Sequence, residues 1–165
     1  MKLKNAIIAA LALTVLLSSC RADKGGGDGD TGSKDYVFYS GEVSVAVGDS
    51  VEDALRALGE YKSYYTSPSC ASEGEDVMYV YDGFRITASL CRDKSIIYII
   101  ELTNDTVSTP EGISVGDARD EVVSAYGYGY RSVGESLEYR ADNCILQFIV
   151  RDGRVSSIKY IASDK

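Results

Sequence analysis

The 165-residue chain contains no histidine. That absence removes the commonest general base, the commonest transition-metal ligand and every Ser/His or Cys/His nucleophile pair, so no enzymatic role is expected. Positive charge is also short: 17 Lys and Arg stand against 25 Asp and Glu, a formal net charge of −8. Such a surface is repelled by nucleic acid, and no nucleic-acid partner is expected. The acids are scattered through turns and helix starts, the pattern of a solvated surface. Large apolar residues are missing from 21–34, a run of Gly, Asp, Ser and Lys that has nothing to bury and reads as a flexible tether. Within it, Asp28-Gly29-Asp30 lacks the glutamate that an EF-type loop carries at its twelfth position, where Tyr39 stands. No metal and no cofactor are expected.

What is present begins with an export signal. Lys2 and Lys4 precede an apolar run from Ala6 to Leu17 that is too short for the ~20 residues of a membrane span. The run stops at Leu17-Ser18-Ser19-Cys20, which resembles the bacterial lipobox. The resemblance implies removal of residues 1–19 and lipid attachment at Cys20, with 20–35 as linker. Each buried CH₂ adds ~0.8 kcal/mol to anchoring, so two or three acyl chains on one residue hold a protein stably. Loss of residues 1–19 takes away Lys2 and Lys4 and no acid, moving the formal charge from −8 to −10. The expected location is the cell envelope, lipid-anchored on the extracytoplasmic side of a bacterial membrane.

Three further cysteines remain, Cys70, Cys91 and Cys144, an odd number in an exported chain. Cys70 with Cys91 is the expected disulfide, the other pairings and no bridge at all being left open. Cys144 lies in an apolar strand, where it packs as a small hydrophobe.

From residue 36 the pattern becomes that of a globular domain, and one stretch occurs twice. Val47-Gly48-Asp49 opens a run that ends at Gly59, and Val115-Gly116-Asp117 opens one that ends at Gly127. In the first, Asp49 is the expected N-cap with Glu52 three residues on, and Val51, Ala54, Leu55 and Leu58 share one helical face. In the second, Asp117 caps, Asp120 follows at the same offset, and Val122, Val123 and Tyr126 line the face. Asp49, Glu52, Asp53, Asp117, Asp120 and Glu121 thus have capping and dipole roles and do not form an acid/base or metal cluster. Apolar strands follow each run, with hairpin turns at Asp82-Gly83 and Asp152-Gly153. The expected fold is α+β: two tandem copies, 36–105 and 106–165, of a short helix followed by a three-stranded antiparallel meander, sharing one core or a continuous sheet.

Gly48-Asp49 to Gly59 and Gly116-Asp117 to Gly127, each followed by a meander on a lipidated chain, are similar to the helix pattern of the SmpA/BamE outer-membrane lipoproteins. The tandem form, over roughly Val45 to Ile161, resembles the secreted β-lactamase-inhibitory protein and the duplicated small lipoproteins of Gram-positive bacteria. The resemblance implies a fold and carries over no interface residue.

The two copies differ where helix joins sheet. Gly48 and Gly116 are 68 residues apart, whereas Asp93 and Asp152 are 59 apart, so the links differ by nine residues. Those links hold Tyr64, Tyr65, Tyr128 and Tyr130, aromatics that are candidates for partner contact. The expected role is that of a lipid-anchored envelope protein binding or scaffolding another protein. The alternatives are an inhibitor of an extracellular hydrolase and a solute-binding lipoprotein.

Overall fold

The computed structural model describes residues 36–68, 74–91 and 94–163. The signal segment, Cys20, the 20–35 linker and Cys70 lie outside the described residues. So does the Cys91 side chain, and with it the expected disulfide.

A hairpin of β1 (Phe38–Ser40) and β2 (Val43–Val45) opens the fold and leads into α1 (Val51–Leu58). Four strands follow: β3 (Ser63–Pro68), β4 (Glu75–Val80), β5 (Phe84–Cys91) and β6 (Lys94–Leu102). After a long loop come α2 (Arg119–Tyr126), β7 (Arg131–Val133), β8 (Ser136–Arg140), β9 (Cys144–Arg151) and β10 (Arg154–Ala162). The last eight strands form one antiparallel sheet in the order β3-β4-β5-β6-β10-β9-β8-β7.

This overturns the α+β expectation of two units, each a helix with a three-stranded meander. The described chain is mostly β, and its two helices are only eight residues long. The links at 61–76 and 128–133 supply two more strands, β3 and β7. Both lie at sheet edges and are largely or wholly exposed, so neither shows the alternation that marks a strand with one buried face.

One face of the sheet carries the core. Phe84, Ile86 and Ala88 alternate with Arg85, Thr87 and Ser89 along β5, and the first set is buried. Leu102, Ile100 and Ile97 of β6 join them, as do Ile158 and Tyr160 of β10 and Leu146 and Phe148 of β9. Phe38 of β1 packs on Phe84 and Tyr160 at ring distances of 4.8 and 6.2 Å. Val51 and Ala54 of α1 and Val122 and Val123 of α2 close the same cluster. Cys144 is buried at the start of β9, 1% exposed.

The caps differ from the expectation by one residue. The N-cap of α1 is Ser50, whose hydroxyl accepts from the Asp53 amide at 3.4 Å. Asp49 turns the other way and accepts from the Ala46 amide at 2.8 Å. Asp117 accepts in the same manner from Ser114, and the residue before α2 is Ala118, whose amide donates to Glu121. The Val-Gly-Asp segments clip each helix start onto a central strand. Gly48 donates to Ile97 at 2.7 Å, and Gly116 donates to Val155 at 2.8 Å. Both glycines have positive φ, 92° and 103°, a backbone that L side chains disfavour.

Candidate functional site

The four tyrosines expected on loops do not meet. Tyr64 and Tyr65 lie in β3 at one edge of the eight-stranded sheet, 58% and 60% exposed. Tyr128 and Tyr130 precede β7 at the opposite edge. Seven strand spacings at ~4.8 Å separate the two edges by roughly 34 Å. Tyr128 is 86% exposed, whereas Tyr130 is held in place. Its hydroxyl accepts from Arg119 at 2.8 Å, and its ring packs on Tyr139 at 5.8 Å.

At the β3 edge, neighbouring tyrosines point to opposite faces, as the pleat requires. Tyr64 joins Tyr61 (5.9 Å) and Tyr79 (6.4 Å) on the helix-bearing side. Tyr65 reaches the other face, which no helix covers among the described residues. There it borders a shallow depression of about 240 Å³ lined also by Met78, Thr87 and Tyr98.

That open face is organised by register. Arg85, Glu101, Lys159, Gln147, Glu138 and Arg131 stand opposite one another across six strands. Arg85 bonds Glu101 at 2.7 Å, Lys159 approaches the same carboxylate at 3.6 Å, and Ser157 donates to it at 3.0 Å. One step along the strands runs a half-buried row of Met78, Thr87, Ile99, Ile161 and Ile145, apolar but for the threonine. The open face thus sets charged and polar residues beside half-buried apolar ones.

On the helix-bearing side, a pocket of about 170 Å³ opens beside β1. It is lined by Tyr36, Val37, Tyr39, Pro110, Glu111, Tyr126 and Tyr160. The turn Thr109-Pro110-Glu111-Gly112 closes by a 2.8 Å bond from the Gly112 amide to the Thr109 carbonyl, with proline second in the turn, as such turns favour. It delivers Glu111 to the pocket, where the carboxylate accepts from the Tyr126 hydroxyl. The Tyr126 pKa is pushed strongly up, first by burial and then by that bond, with a hydrogen bond to Thr109 opposing. Tyr160 is also raised, by burial and then by Glu111, as is Tyr36 for the same two reasons in that order. All three phenols stay protonated and neutral around one carboxylate.

Sequence reasoning missed this pocket because its residues come from positions 36 to 160 with no local spacing to join them. The Pro-Glu-Gly turn was the one local signal. Among the described residues, no group of three His, Cys, Asp or Glu side chains is placed to hold a metal ion.

The sequence matches no protein-family model and no curated protein. In fold, the chain is similar to an extracellular protein containing a SCP domain from Bacillus anthracis str. Ames, with a TM-score of 0.50 at 13% identity. The match covers 70% of this chain and 43% of that one, and at such identity it speaks to fold alone. No helix among the described residues is long and apolar enough to cross a membrane.

Proposed function

We propose that this is a lipid-anchored protein of the bacterial cell envelope that acts without catalysis, by binding another protein along the β3 edge and the adjoining open face. The observation that carries the reading is β3 itself. Its six residues, Ser-Tyr-Tyr-Thr-Ser-Pro, include no charge, and β4 is its one strand neighbour in the described sheet. Exposed edges are ordinarily blunted by lysine, a bulge or an internal proline. Here proline stands only at the last position. An extended partner segment adding to this edge gains main-chain hydrogen bonds, and Tyr64 and Tyr65 offer rigid aromatic area on both faces. The lipobox-like Leu17-Ser18-Ser19-Cys20 supports the anchor, and the 20–35 linker gives the domain reach from the membrane.

A photoreactive residue placed at Tyr65, and separately at Tyr128, tests the surface in the native envelope. A discrete adduct at position 65 that disappears with Tyr64→Lys is the expected result. Equal labelling at both positions, or none at 65, contradicts the reading. The anchor is tested apart from it: Cys20→Ala should abolish acyl labelling and leave uncleaved precursor.

A further inference from the structure

We propose that the molecule adding to β3 is a second copy of this chain, in a two-fold dimer that pairs β3 antiparallel with its own counterpart, Tyr65 standing opposite Tyr65. The inference rests on the reading of the β3 edge as the binding surface and names its occupant.

Symmetry restricts the register. A two-fold axis that lays two strands side by side and antiparallel stands perpendicular to the sheet, so each face stays on its own side. Directly opposed residues share a face, and along a strand the faces alternate. Tyr64 of one copy therefore cannot stand opposite Tyr65 of the other, and the axis passes beside a residue that meets itself. With Tyr65 at the axis, Tyr64 meets Thr66 and Ser63 meets Ser67, all inside the strand. Moving the axis to Thr66 draws Pro68 into the pairing, where it has no N–H to give. Moving it to Tyr64 sets Thr66 against Lys62, outside the strand.

Three features fit a copy of this chain to that edge. The first is charge. β3 carries none, and its ends have opposite signs: Lys62 precedes it, and Glu75 of β4 stands opposite Pro68 at its far end. The two-fold brings the Lys62 end of each copy to the Glu75 end of the other. Lys62 already holds Asp82 at 2.6 Å, so the gain is one of matched sign and not of a new bond.

The second is the direction of the chain. Both helices pack on one face of the sheet, and Tyr36, the first described residue, packs on Tyr126 of α2 on that side, with ring centroids 6.3 Å apart. A face-preserving axis makes both N-terminal segments leave the joined sheet on the same side, as two lipid anchors in one membrane require. The third is precedent within the molecule. At β6 and β10 two four-stranded arrays already meet antiparallel, edge to edge, with their helices on one side. Joining β3 to β3 repeats that kind of junction.

The opposite edge offers no equal site. β7 has three residues and includes Arg131. Joining β3 to β7 of another copy would also leave a free β3 and a free β7, an assembly that does not close, whereas β3 with β3 closes at two. So short a contact is small beside a standard interface, and confinement of both anchors to one surface raises the effective concentration.

Sedimentation equilibrium of the full lipidated chain in density-matched non-ionic detergent should show monomer and dimer in exchange. Tyr65→Lys sets like charges directly opposite each other and should weaken the dimer by roughly tenfold or more, whereas Tyr128→Lys at the other edge should leave it unchanged. Two double variants read the register. Ser63→Lys with Ser67→Glu places opposite charges face to face twice and should tighten the dimer severalfold, and Ser63→Lys with Ser67→Lys should weaken it. The adduct from a photoreactive residue at position 65 should have twice the mass of one chain. A dimer indifferent to Tyr65→Lys, or equal association of the two double variants, overturns the proposal. So does a chain that is monomeric at every concentration. In that last case an adduct at position 65 with a different protein keeps β3 as the binding surface, and no adduct retires both readings.

Discussion

The Tyr139 hydroxyl donates to the carbonyl oxygen of Gly127 at 2.9 Å, tying the glycine that stops α2 to strand β8. Tyr81 makes the corresponding bond to Gly59 after α1, at 3.4 Å. A helix's last carbonyls lack intrahelical partners, so each phenol answers a need created by the helix end. Tyr139→Phe should therefore lower stability by about 1 kcal/mol, the usual net worth of one hydrogen bond, and Tyr81→Phe by less because its bond is longer. Urea midpoints at constant slope check the ordering.

The same phenols predict an alkaline limit. Burial, then the neighbouring Tyr130, pushes the Tyr139 pKa from the ordinary 10.0 up to about 12. Tyr36, Tyr79, Tyr81, Tyr126 and Tyr160 are raised too, with burial the largest cause in each. Above pH 10 the unfolded chain releases protons that the folded chain keeps, so the folded state binds more protons and stability falls as pH rises. Below pH 10 these groups contribute no slope. Unfolding free energies measured from neutrality to about pH 12 should be level and then decline, and Tyr139→Phe should reduce the decline.

Gly83 is the turn residue least open to substitution. Its φ is +84°, and a Cβ there would run into Thr106 Oγ1 and Asn104 Oδ1 in the loop after β6. Gly41 has a φ of +61° with nothing within 4 Å of such a Cβ, so it isolates the backbone term. Gly41→Ala should cost about 1–2 kcal/mol, the left-handed penalty for an L residue. Gly83→Ala should cost more, and a smaller loss at Gly83 than at Gly41 in thermal or urea unfolding would contradict the clash.

Glu101 gathers Arg85, Lys159 and Ser157 on the open face, with its own side chain 13% exposed. Glu101→Gln should destabilise by about 1–2 kcal/mol, since it leaves two partly exposed cations without their shared carboxylate. The deficit should shrink as salt is added, because the wild-type pairs are screened. A deficit independent of salt would assign the loss to packing.

Strand β5 was legible down to its faces, because Phe84, Ile86 and Ala88 alternate with polar residues over a buried core. The Asp152-Gly153 turn was legible as well: both residues have positive φ, 51° and 76°, which few sequences tolerate. The N-caps were misplaced by one because an aspartate can accept from an amide on either side, and Asp49 and Asp117 both reach backward. Strand β3 was illegible because an edge strand exposed on both faces carries no periodic signal. Of the candidate contacts, Tyr64 and Tyr65 share an edge, Tyr130 is taken up by Arg119 and Tyr139, and the Glu111 pocket had no signal in sequence beyond its Pro-Glu-Gly turn.

The strand order has a consequence for how the molecule assembles. Within the sheet, every pairing but one joins strands adjacent in sequence. The exception is β6 with β10, four residue pairs from Ile158↔Leu102 to Ile161↔Ile99. Each meander can therefore form by closing short loops, and the central seam must wait for residues as far apart as Leu102 and Ile158 to meet, the slow kind of contact. Until the seam forms, β6 and β10 are open edges, and β10 of a second molecule is as good a mate for β6 as the chain's own. An exchanged dimer joined at this central seam is therefore the misassembly to expect at high concentration.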